Sequence, residues 1–290
     1  MSMSISKSDC ISKIVVFDLD ETLGYFVEFG IFWDSLKQYL DYKNKDKSHH
    51  LNQNHFNEIF DLYPEFQRPD ILKILQYLKH KKESNECNRI MIYTNNQGPK
   101  TWADYIKKYY ELKLKYPLFD QIIAAFKVNG QTIEICRTTH YKTHKDLIKC
   151  SKIPHNTQIC FVDDTFFPEM SNDNVYYINI KPYIHSLSFE IMIDRFCNSS
   201  DRLLNYEIDD CKVFKGFMLN MMNKYLYQEN NKIEDELEVD KILSKKILEH
   251  LKYFFNKPIN KVYTRKNKEK EKERYKNKNK EKHKKTRKIK

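Results

Sequence analysis

Glycine is scarce in this chain, at five in 290 residues, and alanine is sparse beside abundant Lys, Asn, Ile and Tyr. That bias points to coding from an A+T-rich genome and carries no chemistry. No run of about 18 apolar residues occurs, and the opening MSMSISKSDCISK has no continuous apolar stretch, so neither a membrane span nor a secretory signal is expected. The protein is therefore expected inside the cell, in cytoplasm or nucleus. Cys-x-x-Cys spacing is missing among the seven cysteines, and Cys136 and Cys160 sit in apolar runs, which reads as reduced core thiols. The segment CNSSDR at 197–202 does not make a cysteine-dependent phosphatase. Its Arg202 comes one position too early for a five-residue phosphate loop, and the loop has no glycine. His140 and His144 lie four apart, but no Cys or third His joins them at zinc spacing, so they read as loop or surface residues.

Charge is unevenly placed. The formal net charge is +11, yet residues 261–290 hold 16 Lys or Arg against four Glu, so the tail carries +12 and residues 1–260 carry −1. With almost no apolar side chains, that tail is expected to be disordered and to make electrostatic contacts. Candidate partners are nucleic-acid phosphates, acidic protein surfaces or a nuclear import receptor, with Tyr263 and Tyr275 available to stack on bases. The plainer reading is a solubilising tail without a partner.

At 40% hydrophobic, the body can bury one substantial core and a small second one. VVFDLDETLG, residues 15–24, sets a uniformly apolar run against Asp18, Asp20 and Glu21, the pattern of a strand buried on both faces and belonging to a parallel sheet. RIMIY (89–93), QICFV (158–162) and VYYINI (175–180) read as further strands. RPDILKILQYLKHKK has helical periodicity, and another helix is expected near Lys100 after TNNQGPK. Asn129-Gly130 between strand-like runs is a strong hairpin signal. The fold class expected is α/β, Rossmann-like, around a central parallel sheet. Residues 1–12 form an N-terminal extension, 13–186 the α/β domain, 187–258 a helical appendage and 259–290 the basic tail. Aromatic-rich residues 25–66 read as an insertion with short helices, large enough for only a modest lid.

Two strands end in carboxylates, Asp18 with Asp20 and Asp163 with Asp164. Acids crowded at the end of a core strand lose hydration and repel one another unless a cation sits among them. In open α/β sheets the ligand crevice lies beyond those carboxyl ends. Asp18, Asp20 and Thr22, then Thr94, then a lysine, then Asp163 and Asp164, in that order, resemble the haloacid dehalogenase (HAD) superfamily of phosphohydrolases over residues 13–183. The resemblance implies Asp18 as nucleophile forming an aspartyl-phosphate and Asp20 as general acid and base. It implies Thr22 in support of the loop, and Thr94, with Asn95 beside it, binding the phosphoryl group. It also implies Mg²⁺ among Asp18, Asp20, Asp163 and Asp164. Lys145, in HKDL, is the first choice for the lysine, with Lys142 the competitor.

DLDETL, RPD, the hairpin and KDL further resemble the NLI-interacting-factor-like branch, the phosphatases of the RNA polymerase C-terminal-domain type. That branch implies phosphoserine or phosphothreonine in proteins as substrate. It usually has Asp-Asn where this chain has Asp163-Asp164, and glycine where it has Asp70. TNNQG is similar, with one residue inserted, to the Thr-Asn-Gln-x-Gly of the polynucleotide 3′-phosphatase and histidinol-phosphatase branch. A polynucleotide 3′-phosphatase tethered by the basic tail is therefore the alternative, and a non-catalytic scaffold with a vestigial phosphatase fold is a third.

Overall fold

A computed structural model of the chain describes residues 12–43, 51–199, 210–225 and 234–257. The basic tail, the N-terminal extension and the expectation of disorder at 259–290 lie outside the described residues. The chain divides into two compact units, Met1–Phe255 and Asn256–Lys290, and of the second only residues 256 and 257 are described. Among the described residues, no helix is long and apolar enough to cross a membrane.

The protein is α/β, with five parallel strands and eight α-helices among the described residues. The strands of the main sheet are β1 (Lys13–Phe17), β2 (Arg89–Tyr93), β3 (Gln121–Ile123), β6 (Gln158–Asp163) and β7 (Val175–Asn179), in the order β3-β2-β1-β6-β7. β4 (Lys127–Val128) and β5 (Gln131–Thr132) form a separate antiparallel hairpin. Its turn residues Asn129 and Gly130 both adopt positive φ, 49° and 79°, the backbone that Asn-Gly tolerates best. The helices are α1 (Val27–Lys43), α2 (Gln53–Phe60), α3 (Ile71–Glu83), α4 (Lys100–Leu114), α5 (His144–Ser151), α6 (Phe189–Asn198), α7 (Cys211–Met222) and α8 (Glu234–Asn256).

β1 is central and wholly buried. Its side chains alternate, as a strand's must. Ile14 and Val16 join a smaller apolar cluster with Leu147 and Ile148 of α5, while Val15 and Phe17 join a large cluster fed by the other seven helices. That larger cluster is strongly aromatic, with Phe29 packed against Phe56, Phe60, Tyr63 and Trp102. The helices after residue 187 share it. Phe196, Phe214, Met218, Leu251 and Phe254 are all buried there, and Lys13 Nζ donates to the carbonyls of Phe254 and Phe255 at 3.0 Å, capping the end of α8.

One expectation needs correction. Cys136 and Cys150 are not reduced thiols but a disulfide, with Cα atoms 5.1 Å apart. They are 14 apart in sequence, and the chain leaving β5 folds back over the end of α5, a proximity that spacing does not reveal. Among the described cysteines, Cys87 and Cys160 are buried free thiols and Cys211 is exposed.

Candidate active site

β1 and β6 are adjacent and parallel, with Phe17 beside Val162, so the residues that leave their carboxyl ends emerge side by side. The Asp18 amide donates to the Val162 carbonyl at 2.9 Å. Carboxylate oxygens of Asp18, Asp163 and Asp164 lie within 4.8 Å of one another. Lys142 Nζ sits between the first two, bonding Asp18 Oδ1 and, at 2.7 Å, Asp163 Oδ2. Asp18, Asp163 and Lys142 are all buried.

Burial raises two of these carboxyls, Asp18 and Asp163. Burial pushes Asp18 above the usual carboxylate range, against the pull of Lys142 and with the Asp164 charge adding to it. Asp163 is pushed up to about 7 by burial, opposed by Lys142 and assisted by Asp18. Buried Asp18 and Asp163 with half-buried Asp164 make an oxygen-only donor set of the kind a hard divalent cation takes, and a cation there would favour the ionised forms of the two buried carboxyls.

The loop after β1 is shaped by two features. Glu21 has φ +59°, a left-handed conformation uncommon for a side-chain-bearing residue. Buried Arg68 holds that turn from behind, donating through Nε to the Thr22 carbonyl at 2.6 Å and through NH2 to the Glu21 and Lys181 carbonyls at 2.6 and 3.0 Å. Thr22 Oγ1 donates to Asp164 Oδ1 at 3.1 Å, tying the first acidic loop to the last. Gly24 is required, because a Cβ there would overlap the Phe66 carbonyl oxygen and come within 2.6 Å of the Phe26 ring.

β2 supplies the third corner. Thr94 is buried, and its Oγ1 accepts the Asn96 amide at 3.0 Å. Asn96 Nδ2 in turn donates to Asp20 Oδ2 at 2.8 Å. Burial and the Asp18 charge push Asp20 up to about 7 in spite of that donation.

Asp18, Asp20, Thr22, Thr94, Asp163 and Asp164 thus converge. Three assignments change. Lys145 is exposed on the first turn of α5 and makes no contact with the acids; Lys142 takes that place. The reason is local. Thr143 caps α5 by accepting the Asp146 amide, which puts Lys142 just before the helix and Lys145 inside it. Asn95 does not point to the acids either, because its Oδ1 accepts from Arg137 NH2 at 2.8 Å; Asn96 is the residue that reaches them. The Asp20 carboxylate stands outside the group of close oxygens formed by Asp18, Asp163 and Asp164. Arg68, Asn96 and Arg137 were not legible as site residues. Only the Thr-x-x-Asp helix-start signal at 143–146 was available to favour Lys142.

Two grooves flank the loop Asn96–Pro99. One, of about 610 Å³, runs from Asp20 between α1 and the start of α4, past Phe26, Trp33, Trp102 and the pair Asp34 and Lys37. The other, of about 560 Å³, runs from Thr94 along β3 and the hairpin, past Ile122, Val128, Ile133, Asp104 and Lys107. No family model, curated protein or solved structure matches the chain.

Proposed function

We propose that the protein is a phosphomonoesterase of the HAD type that works through an aspartyl-phosphate on Asp18 and acts on phosphoserine or phosphothreonine in protein segments. The observation that carries this reading is the meeting of Lys142 Nζ with Asp18 and Asp163 beside Asp164, at strand ends shared with Thr94 and Asp20. Mg²⁺ held by Asp18, Asp163 and Asp164 would neutralise charge between the phosphate dianion and the attacking carboxylate.

The chain's own groups account for the steps. An Asp18 carboxylate oxygen attacks phosphorus, and the bond from phosphorus to the ester oxygen breaks. Asp20, whose raised pKa keeps a proton near neutral pH, delivers that proton to the departing alkoxide, which leaves as the alcohol. Thr94 Oγ1 accepts from the Asn96 amide and keeps its own proton for a phosphoryl oxygen. Lys142 offsets charge that accumulates around the phosphoryl group. Asp20, now a carboxylate, takes a proton from water as that water attacks the acyl phosphate, which releases phosphate and restores both aspartates.

The grooves favour a polypeptide over a nucleic acid. Each pairs apolar walls with two aspartates against one lysine, Asp20 and Asp34 with Lys37 in one and Asp104 and Asp120 with Lys107 in the other, whereas a track for a phosphate backbone needs a cationic surface. The test compares a phosphoserine peptide, a 3′-phosphorylated oligonucleotide and an aryl phosphate under Mg²⁺, with wild type and Asp18→Asn. Turnover of the peptide and aryl phosphate by wild type alone is expected. Turnover of the oligonucleotide alone would overturn the substrate class, and equal behaviour of wild type and Asp18→Asn would overturn the enzyme.

A further inference from the structure

The geometry points to Arg137 as the positioning residue that locks the Thr94 loop and Lys142 into one register, an inference that rests on the phosphatase reading above. Arg137 is 2% exposed, and its guanidinium lies 4.8 Å from the Tyr93 ring centre. NH1 donates to the carbonyls of Thr94 at 3.1 Å and Ala124 at 2.8 Å. NH2 donates to Asn95 Oδ1 at 2.8 Å and to the carbonyls of His140 and Tyr141 at 3.0 and 3.3 Å.

Those five acceptors come from three separate stretches: the loop after β2, the exit of β3 and the segment that ends at Lys142. None of the five is a carboxylate: Asp146 and Glu134 attract the buried cation without bonding it directly, so its orientation is set by carbonyl oxygens aimed at it. The planar fork of guanidinium donors suits that task, and an ammonium on a flexible stem does not.

Arg137 is itself fixed from both sides. Cys136 is bonded to Cys150 at the end of α5, and the Thr138 amide donates to buried Asp146 of the same helix at 2.8 Å. Lys142 is equally bracketed. The Tyr141 carbonyl before it is held by Arg137, and Thr143 after it is the cap of α5. Two phosphoryl-facing groups on different loops, the Thr94 hydroxyl and the Lys142 ammonium, therefore share one backbone anchor that touches neither substrate nor metal. A displacement of about 1 Å in such groups costs up to about a hundredfold in rate.

The test uses Arg137→Lys, Arg137→Ala and Asn95→Ala in the full chain, with an aryl phosphate as substrate and Asp18→Asn as control. Arg137→Lys is expected to lower kcat about 10- to 100-fold while KM changes less than about threefold. Asn95→Ala, which removes one acceptor of five, is expected to lower kcat a few-fold, and guanidinium ion is expected to restore part of the Arg137→Ala activity. Amide exchange should speed up around residues 94–96 and 140–142 in Arg137→Lys with the rest of the sheet unchanged. A folded Arg137→Lys with wild-type kcat, or a loss of melting temperature with no loss of kcat, overturns the inference while leaving the phosphatase reading intact. Should Arg137→Ala not fold, the Arg137→Lys and Asn95→Ala results decide. A wild type inactive on every phosphate ester would sink both claims.

Discussion

Lys142 Nζ rests on two buried carboxylates, and among the described residues no other side-chain cation pairs with Asp18 or Asp163. Lys142→Ala should therefore lower kcat for an aryl phosphate by about 10²- to 10³-fold, the scale of losing one preorganised charge stabiliser. Lys145→Ala, on an exposed side chain, should leave it unchanged. Steady-state kinetics on the two variants checks both. Asp20 yields a second expectation. Its pKa is raised to about 7, so the acid form needed by a poor leaving group prevails below that pH and is lost above it. The kcat/KM for an alkyl phosphate should fall about tenfold per pH unit above 7, that for an activated aryl phosphate should fall less, and Asp20→Asn should remove the difference. A pH profile with both substrates measures it. The carboxylates were legible in sequence because each follows an apolar strand. The lysine was not, because two lysines three positions apart differ only in which side of a helix cap they fall. Arg68 and Arg137 were illegible for another reason: apart from Asn95 Oδ1, the acceptors they bond are backbone carbonyls, which leave no trace in residue identity.

At the scale of elements, β1, β2, β6 and β7 could be read from their short apolar runs, and the hairpin from Asn129-Gly130. α8 was legible through Ile247, Leu251, Phe254 and Phe255, which recur on one face and are all buried. The Cys136–Cys150 bridge was not legible, since it depends on how the chain between β5 and α5 folds back. It closes a span of 14 residues, and the chain-entropy argument assigns such a loop about 3 kcal/mol. Replacing both cysteines with serine should lower unfolding free energy by about that amount in denaturant titration. A reductant should do the same to wild type and nothing to the double variant.

At the scale of the molecule, charge is partitioned: residues 1–260 are nearly neutral and 261–290 carry the excess. If substrate is chosen by the grooves beside Asp20 and Thr94, removing 261–290 should leave kcat/KM for an aryl phosphate and a phosphopeptide unchanged at any salt concentration. A steep rise in KM for oligonucleotides at low salt on the same deletion would instead favour the tethered nucleic-acid reading. The acids that close on one another come from β1 and β6, more than a hundred residues apart, and only the whole sheet brings them together. Ion binding should therefore report on the fold. Mg²⁺ at about 100 times its dissociation constant should raise stability by about 2.7 kcal/mol. Asp163→Asn and Asp164→Asn should blunt that gain in thermal melts.

The central claim is that Asp18 accepts the phosphoryl group. Its most direct test is an acid quench during turnover of a phosphate-labelled peptide under Mg²⁺, followed by digestion and mass spectrometry. One acid-stable, hydroxylamine-labile phosphoryl group is expected on the fragment that contains Asp18, absent from Asp18→Asn. Turnover with no label on the protein, or with the label on another residue, would contradict it.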